Sequence, residues 1–211
     1  MAGQDEIDAA MMMRCIELSK KGGESGEYPF ACLICKGTEI YVESTNRSTI
    51  DQDTSRHAEL LALTKAQHRK GGPELGGYTL YTNVEPCVMC SLAIRETRIS
   101  RVVYAIKSPL MGGHTRWNIL RDEGLSNIVP EGFGAPPEIV AGLCTAEAEA
   151  VWHQWNPITW HVLRSRGCFG GGSSEHLAGS ARHGWSFLHL IWSAVRRVRY
   201  WRAKWLVWRS S

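Results

Sequence analysis

The chain has 211 residues, of which 44% are hydrophobic, so we expect a globular core rather than a disordered chain. It contains no run of about 18 or more apolar residues, so no membrane-spanning helix is expected. Its net charge of +3 is unevenly divided: residues 164–211 carry +8, whereas residues 1–163 carry 15 basic and 20 acidic side chains, a net charge of −5.

The cysteine count and the N-terminal residues both indicate the cellular compartment. Seven cysteines is an odd number at scattered spacings, which is typical of a reducing environment rather than of a disulfide framework. Residues 1–8 are acidic and lack the apolar segment of a signal peptide. We therefore expect a cytoplasmic protein.

Apolar residues recur at helical spacing in some segments and form strand-like runs in others. This alternation predicts an α/β fold, a three-layer α/β/α sandwich around one mixed sheet of about five strands. The four predicted helices are 5–21, which is ended by Gly22-Gly23, His57 to about Lys70, Pro86 through Arg95, and Thr145–Trp155, which is capped by Thr145. The five predicted strands are Pro29–Lys36, Ile40–Ser44, Tyr78–Asn83, Arg101–Ile106 and Glu138–Leu143.

Two short motifs at the starts of predicted helices carry the chemistry. The first is H-A-E at residues 57–59, and the second is P-C-V-M-C at residues 86–90. Either motif alone occurs by chance in unrelated proteins. In this order, with Pro86 27 positions after Glu59, they match the signature of zinc deaminases, H-x-E followed by P-C-x-x-C.

The residue types fit a catalytic zinc, which takes three protein ligands and keeps a fourth position for water. We predict His57, Cys87 and Cys90 as the ligands of Zn²⁺. Zinc lowers the pKa of bound water to about 7, and Glu59 is placed to carry the proton to departing ammonia. The alternative is that Glu59 is an ordinary first-turn glutamate and that the two cysteines are small buried side chains.

The spacing of the motifs predicts where the metal lies. Cys87 and Cys90 are three positions apart and share one face of a helix. His57 and Glu59 are two positions apart and do not share a face, so the metal is expected beyond the N-terminus of their helix. Asp53 and Thr54 are the candidate N-cap residues of that helix.

Cys32 and Cys35 form a second C-x-x-C pair. Together with Cys87 and Cys90 they could make a four-cysteine structural zinc site, but such pairs are usually separated by about 15–20 residues. Here 51 residues lie between Cys35 and Cys87. Side chains three positions apart in a strand also point to opposite faces. We therefore predict that Cys32 and Cys35 are core residues.

The composition changes near Gly167, where a Gly/Ser-rich linker leads into a segment with five tryptophans and clustered arginines. We divide the chain into a zinc deaminase domain, 1–163, and a basic, Trp-rich C-terminal extension, 164–211. The extension could lie on an anionic membrane, bind nucleic acid through arginine and tryptophan, or have no evolved role. We favour the last of these and do not expect membrane contact.

The motifs and their surroundings resemble the cytidine deaminase-like superfamily, and within it the branch of tRNA adenosine deaminases, guanine deaminases and fungal-type cytosine deaminases. The resemblance covers roughly residues 5–155. It rests on both metal motifs and on Pro29–Ala31, Asn46 and Arg101–Tyr104. It implies zinc bound by the three predicted ligands, proton transfer by Glu59, substrate contacts from Asn46, Pro29 and Ala31, and a homodimer.

One departure from that family bears on the substrate. After the fourth strand, tRNA adenosine deaminases usually carry an acidic residue and a small Gly/Ala-rich turn, whereas residues 106–113 here read I-K-S-P-L-M-G-G. A tRNA-binding face should also be basic, which the −5 charge of residues 1–163 argues against.

We therefore predict a zinc-dependent hydrolytic deaminase acting on a small purine or pyrimidine base or nucleoside. One alternative keeps the chemistry and changes the substrate, to adenosine in tRNA that is converted to inosine. The other is a non-catalytic partner protein that has the deaminase fold and binds zinc structurally.

Overall fold

In the computed structural model of the chain, the residues that are described are 3–170. The helices are α1 (Gln4–Glu24), α2 (Ala58–Lys70), α3 (Val88–Glu96), α4 (Glu123–Ile128), α5 (Thr145–Trp155) and α6 (Pro157–Ser165). The strands are β1 (Ala31–Lys36), β2 (Glu39–Thr45), β3 (Thr79–Val84), β4 (Arg101–Ile106) and β5 (Glu138–Ala141).

The strands form one mixed sheet in the order β2-β1-β3-β4-β5. β1 pairs antiparallel with both β2 and β3, whereas β3, β4 and β5 run parallel to one another. Helices cover both faces of the sheet: α1 and α5 pack on one face, and α2 and α3 pack on the other. The predicted three-layer α/β/α fold around a mixed five-stranded sheet is confirmed. Within residues 3–170, no helix combines the length and the apolar character needed to span a membrane.

The interior strand β1 contributes side chains to two separate cores. Leu33 and Cys35 pack with α1 and α5, whereas Cys32 and Ile34 pack with α2 and α3. Successive residues of a strand point to opposite faces of its sheet, so both faces of β1 are apolar. Cys32 and Cys35 are therefore core residues on opposite faces, as predicted, and cannot share one metal ion.

Gly22 and Gly23 do not end the first helix, which runs through both to Glu24. The prediction that they end it was wrong because these glycines serve close packing. A Cβ on Gly22 would lie 3.2 Å from the Thr45 side chain, and one on Gly23 would lie 2.7 Å from Trp155. The missing side chains let α1 approach β2 and α5.

The N-cap of α5 is Cys144 rather than the predicted Thr145. Thr145 is the first helical residue, and its hydroxyl donates to the carbonyl oxygens of Ala105 at 2.9 Å and Gly142 at 3.0 Å. The capping prediction was wrong because this hydroxyl ties the helix to β4 instead of closing its own first turn.

Two helices, α4 and α6, were not predicted, and a buried arginine organises the region around α4. Arg95 of α3 is 1% exposed, and its guanidinium donates to the carbonyl oxygens of Ile119, Asp122 and Gly134 and to the Ser126 hydroxyl. These acceptors lie within α4 or on either side of it, along the connection between β4 and β5. The five N–H donors of arginine suit this role, because each buried carbonyl needs a partner.

The predicted division at residue 163 falls inside α6. Beyond that helix, Phe169 stacks on Trp160 with ring centroids 5.9 Å apart and is buried in the core beneath α5. The Ser108 hydroxyl donates to the Cys168 carbonyl oxygen at 2.8 Å. The packed fold thus includes residues 164–170. Residues 171–211, on which the predicted roles of the extension mostly depend, lie outside the described residues, and the two-part division stays a prediction.

A buried ion pair joins α1 to the end of the sheet where β4 and β5 begin. Asp8 of α1 is 2% exposed and accepts hydrogen bonds from both terminal nitrogens of Arg101, at 2.6 and 2.7 Å, and from the Tyr81 hydroxyl at 2.7 Å. Arg101 also contacts Glu138 at 3.1 Å. Burial alone would raise the pKa of Asp8, but the hydrogen bonds from Arg101, Tyr81 and Gln4 outweigh burial, so the pKa is lowered.

We predict that Asp8→Asn lowers the free energy of unfolding by about 3 kcal/mol at pH 7, because it leaves Arg101 without its buried partner. In the wild type, the stability from this carboxylate is fully present above its unfolded pKa of about 3.9 and is lost as the pH falls through the lower folded pKa. Urea unfolding between pH 7 and pH 3 measures both effects.

The matched control is Glu17→Gln, since Glu17 forms exposed ion pairs with Arg14 and Lys21 on the same helix. This change should leave the unfolding midpoint almost unchanged. An Asp8→Asn variant with wild-type stability and the wild-type pH profile would show that the buried pair is not a main tie between α1 and the sheet.

Candidate active site

The three predicted ligands converge at one point on the α2/α3 side of the sheet. His57 Nδ1 lies 3.6 Å from Cys87 Sγ and 3.5 Å from Cys90 Sγ, and the two sulfur atoms are 3.6 Å apart. Tetrahedral zinc with ordinary bond lengths would require about 3.5 Å between nitrogen and sulfur and about 3.8 Å between two sulfurs. The observed triangle therefore fits Zn²⁺, and among residues 3–170 these are the His, Cys and carboxylate side chains grouped closely enough to hold a metal.

Two helix N-termini position these side chains. His57 is the N-cap of α2, with φ −68° and ψ 149°, and Cys87 is the N-cap of α3, with φ −68° and ψ 173°. The prediction of Asp53 or Thr54 as the α2 cap was wrong, because the Asp53 carboxylate instead accepts the backbone N–H and hydroxyl of Ser55. Both caps have extended backbone, and the ligand atoms converge where the N-termini of the two helices meet.

The electrostatics favour a thiolate at the start of α3. The hydrogen bond from Cys90 and the interaction with His57 outweigh burial and lower the pKa of Cys87 to about 4. A helix N-terminus stabilises negative charge, which acts in the same direction. Since zinc binds the thiolate rather than the thiol, Cys87 is prepared for a metal at neutral pH.

Glu59 lies in the first turn of α2 and points into the interior beside the ligands. Its side chain is 6% exposed, and the Thr82 hydroxyl lies 3.4 Å from its Oε1. Burial, followed by the nearby Cys87 sulfur, raises the pKa of Glu59 to about 7. A carboxyl group with such a pKa can take up and release a proton near neutral pH.

Asn46 follows β2 and is buried in a loop whose two ends are joined. The Arg47 N–H donates to the Arg56 carbonyl oxygen at 3.0 Å, so Asn46 and His57 flank the neck of the loop. The Asn46 amide donates to Glu27 at 2.6 Å and to Ser48 at 2.8 Å. Glu27 was missed by the sequence argument, because a single acid between loop residues carries no pattern. The predicted contact of Asn46 with substrate remains a prediction.

Pro29 and Ala31 lie at the start of β1, at the end of the sheet where the metal ligands converge. Their backbone is held by Asn83, a second residue that the sequence argument missed. Asn83 of β3 accepts from the Ala31 N–H at 2.9 Å and donates to the Pro29 carbonyl oxygen at 2.7 Å. The Ala31 N–H has no second hydrogen to offer, whereas the Pro29 carbonyl retains a lone pair. The predicted substrate contacts of Pro29 and Ala31 also remain predictions.

Comparison with protein families gives one match, to the cytidine and deoxycytidylate deaminase zinc-binding region, over residues 5–106. A tRNA-specific adenosine deaminase from Streptococcus pyogenes is 34% identical over 125 residues, which is 59% of this chain and 79% of that protein. The Bacillus subtilis protein of the same name is 32% identical over 145 residues, 68% of this chain and 83% of that protein.

Solved structures show the same architecture. One from a study of A-to-I editing by tRNA:A34 deaminases superimposes with a TM-score of 0.60 at 25% sequence identity. The match covers 67% of this chain and 99% of that chain. The family match over residues 5–106 contains strands β1 to β4, both metal motifs and Glu59.

We predict that Cys90→Ala weakens zinc binding by at least about 100-fold, since even changes outside the ligand set cost 10- to 100-fold. Zinc content of the dialysed full-length chain, measured by mass spectrometry, tests this. Cys144→Ala is the matched control, because it removes a half-buried thiol that lies outside the ligand triangle. A Cys90→Ala protein that keeps one zinc at wild-type affinity would rule out this ligand set.

Proposed function

Because this chain belongs to the cytidine deaminase-like superfamily of zinc-dependent hydrolytic deaminases, we propose that it replaces the amino group of a nucleobase by oxygen and releases ammonia. The observation that carries the proposal is the buried Glu59 beside a triangle of three metal ligands. Three ligands leave a coordination position open for chemistry, whereas structural zinc sites are closed by four. This supports an enzyme over the non-catalytic alternative.

The chain's own residues divide the work of the reaction. His57, Cys87 and Cys90 would hold zinc, which when bound supplies a nucleophilic oxygen by lowering the pKa of water. Glu59 would accept a proton from the attacking water on its carboxylate and deliver that proton to the departing amine. Burial raises the pKa of Glu59, which favours uptake of a proton by its carboxylate. One water is consumed and one ammonia is released.

For the substrate we favour a free purine or pyrimidine base or nucleoside. Residues 1–163 carry a net charge of −5. Arginines near the Asn46 loop are also engaged within the protein, since Arg47 and Arg56 both pair with Asp51. Phosphate contacts dominate RNA affinity, so a domain with this net charge suits a small neutral ligand better than tRNA.

Adenosine in tRNA is the second candidate, and two observations favour it. The relatives from Streptococcus pyogenes and Bacillus subtilis described above are named as tRNA-specific adenosine deaminases. In addition, Lys107, Arg116 and Arg121 lie in the segment that follows β4, and within residues 3–170 none of the three forms an ion pair with a carboxylate. They could meet phosphates close to the site.

A homodimer in the cytoplasm completes the proposal. Four apolar side chains on α3 and in the loop after β4 are more than a third exposed and offer a surface for a second copy: Met89, Leu92, Leu110 and Met111. All seven cysteines are free thiols, which suits a reducing compartment. Sedimentation equilibrium should give twice the 23.6 kDa chain mass, and a monomer at micromolar concentration would contradict the dimer.

We predict that Glu59→Gln lowers kcat by about 10²- to 10⁴-fold, because the amide cannot shuttle a proton, while zinc content stays at the wild-type level. Ammonia release and metal analysis on the same preparation test this. Glu24→Gln, an exposed change at the end of α1, is the control and should keep full activity. Retained turnover in Glu59→Gln, or loss of its zinc, would refute the assigned role.

We predict that the zinc-loaded full-length chain releases ammonia from at least one member of a panel of guanine, adenine, cytosine and their nucleosides. An anticodon stem-loop completes the panel. Release from a small molecule should change little between 50 and 200 mM salt, whereas activity on the stem-loop should fall steeply. Activity on the stem-loop alone would reject the free base and establish the tRNA alternative.

A further inference from the structure

One buried carboxylate, Glu85, holds the loop that follows β4. Glu85 is 3% exposed and directly precedes the P-C-x-x-C motif. Its Oε2 accepts from the Ser108 N–H at 2.7 Å, and its Oε1 accepts from the N–H groups of His114 at 3.0 Å and Thr115 at 2.7 Å. The Thr115 hydroxyl lies 2.9 and 3.1 Å from the two oxygens. Both ends of the 108–115 loop are thus bound to one side chain.

A carboxylate satisfies this set of donors. It accepts at both oxygens and donates nothing, whereas a glutamine of the same shape would place an NH₂ group against one of the backbone N–H groups. Charge-assisted hydrogen bonds of this kind are roughly twice as strong as neutral ones. Glu85 is therefore matched to the loop in charge as well as in shape.

The same loop lies directly against a metal ligand. Cys87 and Gly112 form an antiparallel bridge, and the Gly113 N–H donates to the Pro86 carbonyl oxygen at 2.9 Å. A Cβ on Gly112 would collide with the Glu85 carboxylate, and one on Gly113 would collide with the Ser91 hydroxyl. Two glycines therefore allow the loop to approach the N-cap of α3 more closely than any other residue could.

The loop also contacts β4, the neighbour of the strand that contacts Glu59. His114 Nδ1 lies 2.6 Å from the Tyr104 hydroxyl. Tyr104 is the register partner of Thr82 in the neighbouring strand β3, and the Thr82 hydroxyl contacts Glu59. The loop is therefore connected to the site in two places, at Cys87 and through Tyr104 to the strand that contacts Glu59.

We propose that Glu85 is a positioning residue that fixes the 108–115 loop as one wall of the active site, so that the loop is formed before substrate arrives. A preformed wall avoids the conformational entropy of ordering those residues at each binding event. Loss of the carboxylate therefore raises KM more than it lowers kcat. The kinetic part of this inference rests on the proposed deaminase function, whereas the structural part does not.

The structural part is tested by amide hydrogen exchange on full-length Glu85→Gln. The amides of residues 108–115 should exchange at least 10-fold faster than in the wild type, while those of β3 and α2 are unchanged. Glu96→Gln is the matched control, since it removes an exposed carboxylate on α3, and it should show wild-type exchange. Unchanged protection of the loop would overturn the proposal, and so would a loss of protection that extends through β3 and α2.

A second variant tests whether faster exchange in Glu85→Gln comes from loss of the contact with the loop or only from burying the glutamine amide. Gly112→Ala keeps Glu85 but forces the loop away from its carboxylate, so it should reproduce the faster exchange of residues 108–115. If Glu85→Gln accelerates exchange and Gly112→Ala does not, the contact between the loop and Glu85 is not what orders the loop, and the proposal fails.

The kinetic part uses whichever base the wild type deaminates. Glu85→Gln should keep its zinc and raise KM at least 10-fold, with a smaller change in kcat. A fall in kcat with KM unchanged, or a loss of zinc, would refute the positioning role. If the wild type deaminates nothing in the panel, the proposed function fails, while the exchange results still decide whether Glu85 holds the loop.

Discussion

The structure depends on the convergence of two helix N-termini at one end of a mixed sheet. β3 runs parallel to β4 and antiparallel to β1, so the start of β1 and the end of β3 meet at this end. The same end brings the first residues of α2 and α3 together, with three ligand atoms within 3.6 Å of one another. Helix N-termini stabilise negative charge, so thiolates and a metal-bound anion are favoured there. The apolar layers on both faces of the sheet hold this geometry.

Around that point, buried polar side chains hold the surrounding backbone. Asn83 fixes the entry to β1, Glu27 binds Asn46 and the Thr49 N–H, and Glu85 secures the loop after β4. Each satisfies backbone or amide groups that would otherwise be buried without partners, which is costly. Three stretches of backbone near the ligand atoms are thus held by the side chains of Asn83, Glu27 and Glu85.

Several elements could be predicted from sequence patterns because their causes are local. Apolar runs and helical spacing located the five strands and the four helices that the sequence argument named. The helix ends were harder to predict from local sequence, because His57 and Cys144 are N-caps although neither is a typical capping residue. Gly22 and Gly23 continue a helix because neighbouring elements press against it. In each case a tertiary contact outweighed the local preference.

The sequence by itself determined the family, because H-x-E followed by P-C-x-x-C is the signature of zinc deaminases, and from this signature it predicted the ligand types and the proton carrier. It also determined the fold class through its hydrophobic pattern. The tertiary structure alone decided that Glu85, Asn83 and Glu27 surround the site, and that Glu59 is buried enough for its pKa to rise to about 7. These features depend on residues that are distant in sequence but adjacent in space, and neither spacing nor composition encodes such adjacency.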